Sequence, residues 1–115
     1  MNQAELQSQW TKSQKAYESK TDAFRRLTAQ EMENAMVEEE LNLLDDDCKI
    51  YKSVGPALVP TSLDSAKDTV AQRLTYIRRE KERCEKDIAT AEASLRDMQI
   101  GIAKQQQQAQ QQKKR

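Results

Sequence analysis

Apolar residues recur along the second half of the chain in two interleaved rows with a seven-residue repeat. One row holds Val70, Ile77, Cys84, Ala91 and Met98, and the other holds Leu74, Lys81, Ile88, Leu95 and Ile102. The rows alternate by four and three residues, and nine of the ten positions are apolar. Such a repeat, sustained over four to five heptads, predicts one helix of a coiled coil. We therefore predict a long second helix over residues 63–104, with Thr61 and Asp64 as its N-terminal capping pair.

The first half of the chain carries a related but mixed pattern. Seven-residue spacings relate Trp10, Tyr17 and Phe24 on one row, and Leu6, Leu27 and Leu41 on its companion row, whose gaps hold polar residues. Val37 and Leu44 then follow one residue out of phase, which indicates a local stutter in the heptad repeat. Asn2 with Glu5 three residues later is a typical N-terminal capping pair. The pattern predicts a first helix over residues 2–44.

The stretch between the helices has a different composition. From Cys48 to Pro60, β-branched and aromatic residues replace Glu, Gln and Lys, and Gly55-Pro56 separates two short apolar runs. This predicts a β-hairpin within residues 45–62, with Pro60 ending the second strand or lying at an edge. An isolated two-stranded hairpin is marginal in water, so we expect strands from elsewhere to complete it.

The two helices are expected to pair antiparallel. If Val37 lies opposite Val70, residues whose numbers sum to about 108 face each other, and both chain termini meet at one tip. The seam of this coiled coil is then predicted to contain Tyr17, Phe24, Val70, Leu74, Ile77, Cys84, Ile88 and Leu95. Lys81, the one charged residue of the second seam, falls near Glu31, and an ion pair between them would relieve its burial. The fold class is therefore mainly α, a long antiparallel two-helix coiled coil with one central β-hairpin.

Composition excludes several classes of function. The chain has no histidine and a formal net charge of zero, which removes the commonest general base and metal ligand and gives no global field for nucleic acid. Cys48 and Cys84 form no paired motif, so we interpret both as reduced cytosolic thiols with packing roles. Residues 45–47 are interpreted as a turn rather than a metal site. We predict no catalytic residue, cofactor, metal or membrane-spanning segment.

The C-terminal tail and the tip where the two termini meet have separate features. Residues 105–115 form a Gln-rich basic tail without an apolar stripe, which we predict to be frayed helix or disordered. At the tip, the candidate substrate-binding residues are Leu6, Trp10, Met98, Ile100 and Ile102. Ile100 departs from the seam and is expected to point outward, and the adjacent Gly101 weakens the helix. Either these residues offer apolar surface to a partner, or they merely close the end of the coiled coil.

Three segments resemble β-type prefoldin subunits. Residues 34–44 resemble the end of the first helix in that family, and residues 50–59 resemble its hairpin. A third set of residues resembles the start of the second helix in that family: Ala66, Val70, Arg73, Leu74, Tyr76 and Ile77. The single hairpin, where α-type subunits have two, is what places the resemblance with the β-type class.

The resemblance implies a subunit of a cytoplasmic hetero-hexamer with other α-type and β-type prefoldin subunits. Their hairpins join into an inter-subunit β-barrel, so Ile50, Tyr51, Val54, Leu58 and Val59 would be assembly residues. The family captures unfolded polypeptides at the coiled-coil tips without ATP, and delivers them to a cytosolic chaperonin; in eukaryotes these substrates include actin and tubulins. From the residues themselves, we expect no enzyme activity and no nucleic-acid or membrane partner. The alternatives are a plain coiled-coil scaffold or tether, and a nucleic-acid-binding helical arm.

Overall fold

The structure, a computed structural model, describes residues 2–113, with side chains through residue 111. Helix α1 spans Gln3–Asn42, strand β1 spans Ile50–Val54, strand β2 spans Ala57–Thr61, and helix α2 spans Leu63–Lys113. The element order is therefore helix, strand, strand, helix. This confirms the predicted mainly α class with one central β-hairpin.

Helix α1 begins and ends with identifiable hydrogen bonds. The Asn2 Oδ1 atom accepts a hydrogen bond of 2.8 Å from the Glu5 backbone N–H, which confirms the predicted cap and satisfies one of the unpaired N–H groups at the helix start. The helix ends two residues before the predicted position 44. The backbone then tightens, with the Leu44 N–H bonded to the Leu41 carbonyl, and turns through Asp45 to Cys48.

The two ends of α2 differ from prediction. Ser62, rather than Thr61, caps the helix, because its Oγ accepts a hydrogen bond of 3.1 Å from the Ser65 N–H. Thr61 instead ends β2 and pairs with Ile50. The helix continues to Lys113, nine residues beyond the predicted end at 104. Gln, Ala and Lys are good helix formers, and no breaker follows Gly101 in the sequence; the last two residues of the predicted tail lie outside the described residues.

The hairpin turns over two residues, Gly55 and Pro56. Gly55 has a φ of 58°, which is the left-handed value that a type II′ turn requires at its first central position. An L-residue with a Cβ is strained there. The Gly-Pro sequence therefore suits both the tight turn and the antiparallel register that it sets, in which Val54 pairs with Ala57.

The chain forms two compact units, which we call the hairpin unit and the terminal unit. The hairpin unit comprises residues 25–82. Its core is a cluster of four buried apolar residues, with three partly buried ones packed against it: Leu41, Leu63, Val70 and Leu74, with Ala35, Ile50 and Ala66. Leu74 is the most deeply buried, at 1% exposure, so the hairpin and both helix segments meet around it.

The terminal unit comprises residues 2–24 and 83–113. Tyr17 Oη donates a hydrogen bond of 3.2 Å to Glu92 Oε1, and Lys20 forms an ion pair of 3.2 Å with Asp87. The buried Cys84 thiol donates to the Lys20 carbonyl at 3.5 Å. Later residues of α1 thus contact earlier residues of α2, so the two helix segments run antiparallel within this unit.

Burial follows the predicted rows of α2, in which all ten positions are buried or half-buried. The predicted stutter in α1 is wrong, because Val37 and Leu44 are 41% and 38% exposed. The earlier rows instead continue through half-buried Glu31 and Glu38 to buried Leu41. Polar side chains therefore occupy seam positions at the end of α1. Their seven-residue spacing, rather than their hydrophobicity, keeps them on the face of α1 that packs against α2.

Candidate interaction surfaces

The hairpin exposes apolar side chains on both of its faces. Cross-strand pairing places Tyr51 and Leu58 on one face, and Val54 and Val59 on the other. These four residues, which we call the hairpin surface, are between 44% and 69% exposed. Ile50, the fifth predicted assembly residue, differs from them because it packs against the core of the hairpin unit.

The backbone of the hairpin is also open to further pairing. Among the described residues the sheet has two strands only, so each strand has one edge without a neighbouring strand. Unpaired edges expose rows of N–H and C=O groups that can pair with other strands. Apolar faces and open edges together make this hairpin a surface suited to β-sheet extension.

A groove of about 320 Å³ lies beside the hairpin, which we call the hairpin groove. Its apolar lining includes Val37, Leu41 and Val70, and Lys52 and Arg73 contribute the basic side chains. The predicted stutter would place Val37 on the seam, but its side chain lines this groove instead. The sequence gives no local signal for the groove, because it exists only where the hairpin folds back over the helices.

A second groove, of about 270 Å³, lies in the terminal unit, and we call it the terminal groove. Leu6 and Trp10, one helical turn apart on α1, line it together with Ile102 of α2. Of the other predicted tip residues, Met98 is half-buried and Ile100 is 51% exposed. Neither lines this groove, so the structure brings together three of the five predicted tip residues there.

The remaining lining of the terminal groove is entirely glutamine: Gln3, Gln7, Gln105 and Gln106. These residues were not among the predicted site residues. A signal did exist, because Gln3 and Gln7 share the helical face of Leu6 and Trp10. The predicted antiparallel sum of about 108 also places Gln105 opposite Gln3.

A cluster of charges lies on the seam of the hairpin unit. Lys81 Nζ lies 3.1 Å from Glu31 Oε1, which confirms the predicted ion pair, and Arg78 Nε lies 3.2 Å from Glu31 Oε2. The hydrogen bond from Lys81 is the largest influence on the Glu31 carboxyl group and lowers its pKa, although partial burial acts in the opposite direction. The cluster satisfies the charge that Lys81 brings into the seam.

Other chemistry is sparse among residues 2–113. Within that range no group of three or more His, Cys, Asp or Glu side chains is arranged to hold a metal ion. Cys84 is buried as predicted, but Cys48 is exposed, so its predicted packing role is wrong; it lies in the turn before β1 rather than under the hairpin. In the same range, neither helix has an apolar stretch long enough to cross a bilayer.

The sequence matches the prefoldin subunit family over residues 4–112. The chain therefore belongs to the prefoldin subunit family. It is similar to prefoldin subunit 6 of Saccharomyces cerevisiae, with 33% identity over 101 residues that cover 88% of this chain and 89% of the yeast protein. It is also similar to prefoldin subunit 6 of Homo sapiens, with 39% identity over 85 residues that cover 74% of this chain and 66% of the human protein.

Solved structures show the same fold. The prefoldin beta subunit from Thermococcus strain KS-1 matches with a TM-score of 0.78 at 18% identity, covering 86% of this chain and 87% of that chain. The prefoldin beta2 subunit from the same strain matches with a TM-score of 0.68 at 18% identity, covering 78% of this chain and 96% of that chain. The resemblance to β-type prefoldin subunits is therefore confirmed in both sequence family and fold.

Proposed function

We propose that this chain is a β-type subunit of a hetero-hexameric prefoldin, in which it helps to capture unfolded polypeptides without ATP. Membership of the prefoldin subunit family, a chaperone family rather than an enzyme family, supports a co-chaperone role. The observation that carries the proposal is the hairpin surface, because apolar side chains on both faces of an open-edged hairpin need partners.

The hairpin is the proposed assembly element. Tyr51, Val54, Leu58 and Val59 would be covered by strands of neighbouring prefoldin subunits, while Ile50 anchors the hairpin to its own helices. Burying these side chains removes apolar area from water, at roughly 25 cal/mol per Å². A scaffold without partners would leave the same side chains in water, so the hairpin favours the prefoldin assignment over a plain coiled coil.

The tip residues are the proposed capture site. Leu6, Trp10 and Ile102 offer the apolar terminal groove, with Met98 beside them on the seam and Ile100 on the outer face. Each contact with an unfolded chain would be weak. Several subunits binding one polypeptide at once would raise the overall avidity without any strong single contact.

The finer parts of the proposal come from the family resemblance. They are that the complex is cytoplasmic, that it delivers its cargo to a cytosolic chaperonin, and that the cargo includes actin and tubulins. No cofactor, nucleic acid or membrane takes part.

Co-expression with the other five prefoldin subunits tests the assembly step. We expect a hexamer-sized particle by light scattering, and suppression of aggregation of a denatured protein without ATP. The variant Leu58→Ser/Val59→Ser, which changes both faces of the hairpin, should keep its helical circular dichroism but no longer enter the particle. The matched control is Met32→Gln/Met36→Gln, which removes exposed apolar side chains from α1 instead.

The two classes of function predict different results. A prefoldin subunit enters the hexamer, and loses that ability only in the hairpin variant. If the unmodified chain does not bind the other subunits, and stays a monomer or homodimer without effect on aggregation, the chaperone proposal fails. The coiled-coil scaffold is then the remaining function.

A further inference from the structure

We propose that the terminal groove binds an extended, uncharged segment of an unfolded chain, and that it recognises the backbone of that segment as well as one apolar side chain. The inference rests on the proposed function, because it defines the chemistry of what the capture site accepts. Two features of the groove carry it: the size of the apolar wall and the chemical uniformity of the polar rim.

The apolar wall suits one large apolar side chain. Leu6, Trp10 and Ile102 line a space of about 270 Å³. A large aliphatic or aromatic side chain presented by a longer polypeptide can be accommodated in that space. The Trp10 ring supplies the largest apolar area in the wall.

The polar rim is complementary to a peptide backbone. Each glutamine side chain has a carbonyl oxygen that accepts hydrogen bonds and an NH₂ group that donates two. An unfolded segment carries backbone N–H and C=O groups that no secondary structure satisfies. Gln3, Gln7, Gln105 and Gln106 surround the apolar wall, so a segment whose side chain enters the groove brings its backbone amides to the rim.

The rim also determines which segments are disfavoured. The seven residues that line the terminal groove include no charged side chain, so a charged side chain entering the groove loses hydration without gaining an ion pair. The hairpin groove differs, because Lys52 and Arg73 contribute to its lining. Binding in the terminal groove should therefore discriminate against charged segments and depend little on salt, since no ion pair is formed.

Peptide binding to the assembled hexamer tests the inference. The probe is a fluorescein-labelled peptide of Leu, Thr, Ser and Ala with one Phe, and its affinity is measured by anisotropy at about 50 mM and about 500 mM NaCl. A second peptide has the same side chains but N-methyl groups on alternate backbone nitrogens. A third peptide has Lys and Glu in place of Thr and Ser.

The unmodified hexamer should bind the first peptide with the same affinity at both salt concentrations. The N-methylated and charged peptides should each bind about fivefold or more weakly, the loss expected for one or two neutral hydrogen bonds or one unpaired buried charge. The Trp10→Ala variant should bind all three peptides more weakly than the unmodified hexamer does.

The decisive variant is Gln3→Leu/Gln7→Leu/Gln106→Leu, which makes the groove more apolar while removing rim amides. It should bind the first peptide about fivefold more weakly and lose the preference against N-methylation. The matched control is Gln14→Leu/Gln30→Leu/Gln72→Leu, three exposed helical glutamines outside the groove, which should leave both the affinity and the preference unchanged.

The outcomes separate the two levels of the proposal. If the rim variant binds as tightly as the unmodified hexamer, or N-methylation has no effect, backbone recognition is overturned while capture by an apolar groove stands. Salt-dependent binding that favours the charged peptide overturns it as well. If the unmodified hexamer neither binds peptide nor keeps a denatured protein soluble, the proposed function itself fails.

Discussion

The hairpin unit and the terminal unit are built from segments of the same two helices, yet they are packed very differently. Among the described residues, five of the six buried apolar side chains lie in the hairpin unit, and Cys84 alone lies in the terminal unit. The terminal unit relies instead on half-buried seam residues and on polar contacts such as Lys20 with Asp87. A pair of helices buries only a stripe, whereas a third element covers more of each helix.

This difference corresponds to the two proposed roles. An assembly surface has to hold its shape when partners bind, and the hairpin surface is attached through Ile50 to a buried core. A capture site for many segments benefits from adaptable packing, and regions with few buried apolar contacts open at low free-energy cost. The hairpin unit would therefore provide most of the stability of the chain, and the terminal unit would adapt its packing to different bound segments.

Truncating a seam leucine in each unit should give the largest difference. Leu74→Ala, at the most buried position, should lower the free energy of unfolding by about 2–5 kcal/mol, through lost burial and the cavity left behind. Leu95→Ala, at a half-buried position of the terminal unit, should cost less than half as much, because its surroundings are already open to water. Urea unfolding followed by helical circular dichroism measures both, and equal losses would contradict the comparison.

Replacing the turn glycine should have the next largest effect. Gly55→Ala places a Cβ at a φ of 58°, and should cost about 1–2 kcal/mol of backbone strain. No atom lies within 4 Å of the added Cβ, so strain rather than collision is the cause. The expected result is weaker entry into the hexamer, measured by light scattering of the co-expressed subunits. Gly55→Asn should lose less, because Asn is among the residues that type II′ turns accept at the position with positive φ; if alanine and asparagine behave alike, the strain argument fails.

The same substitution in the terminal unit should act in the opposite direction. Gly101→Ala lies within α2 and also meets no atom within 4 Å, so it should stabilise the helix by about 1 kcal/mol through intrinsic propensity alone. Hydrogen exchange of backbone amides near residue 101 should slow, while exchange around Leu74 should not change. Faster exchange near residue 101 would show that the glycine serves a purpose other than flexibility.

Much of the fold could be predicted from spacing alone. The rows of α2 and the pairing of Lys81 with Glu31 follow from heptad geometry, and Gly55-Pro56 identifies the hairpin turn. The errors arose where tertiary packing decides. Val37 has the hydrophobicity of a seam residue, but the hairpin groove, which forms only in the folded unit, gives it another location.

The candidate surfaces show the same limit. Leu6, Trp10 and Ile102 were predicted because apolar residues at a helix end are visible in the sequence. Their glutamine neighbours were not, since glutamine is ordinarily an exposed helix former, and its place beside a groove depends on an antiparallel register correct to one residue. Sequence patterns therefore predicted the apolar part of the terminal groove and missed its polar part.

The smallest predicted effect concerns pH and the Glu31 cluster. Because Lys81 and Arg78 lower the pKa of Glu31 in the folded chain, its carboxylate stabilises the fold above the ordinary value of 4.5, and this contribution is lost as pH falls through the lowered folded-state pKa. Glu31→Gln should therefore melt below the unmodified chain at neutral pH, and the two melting temperatures should converge in acid. Glu33→Gln, an exposed neighbour outside the seam, controls for loss of a charge on α1. A Glu31→Gln difference that persists unchanged in strong acid would show that shape, rather than charge, accounts for the role of Glu31 in the seam.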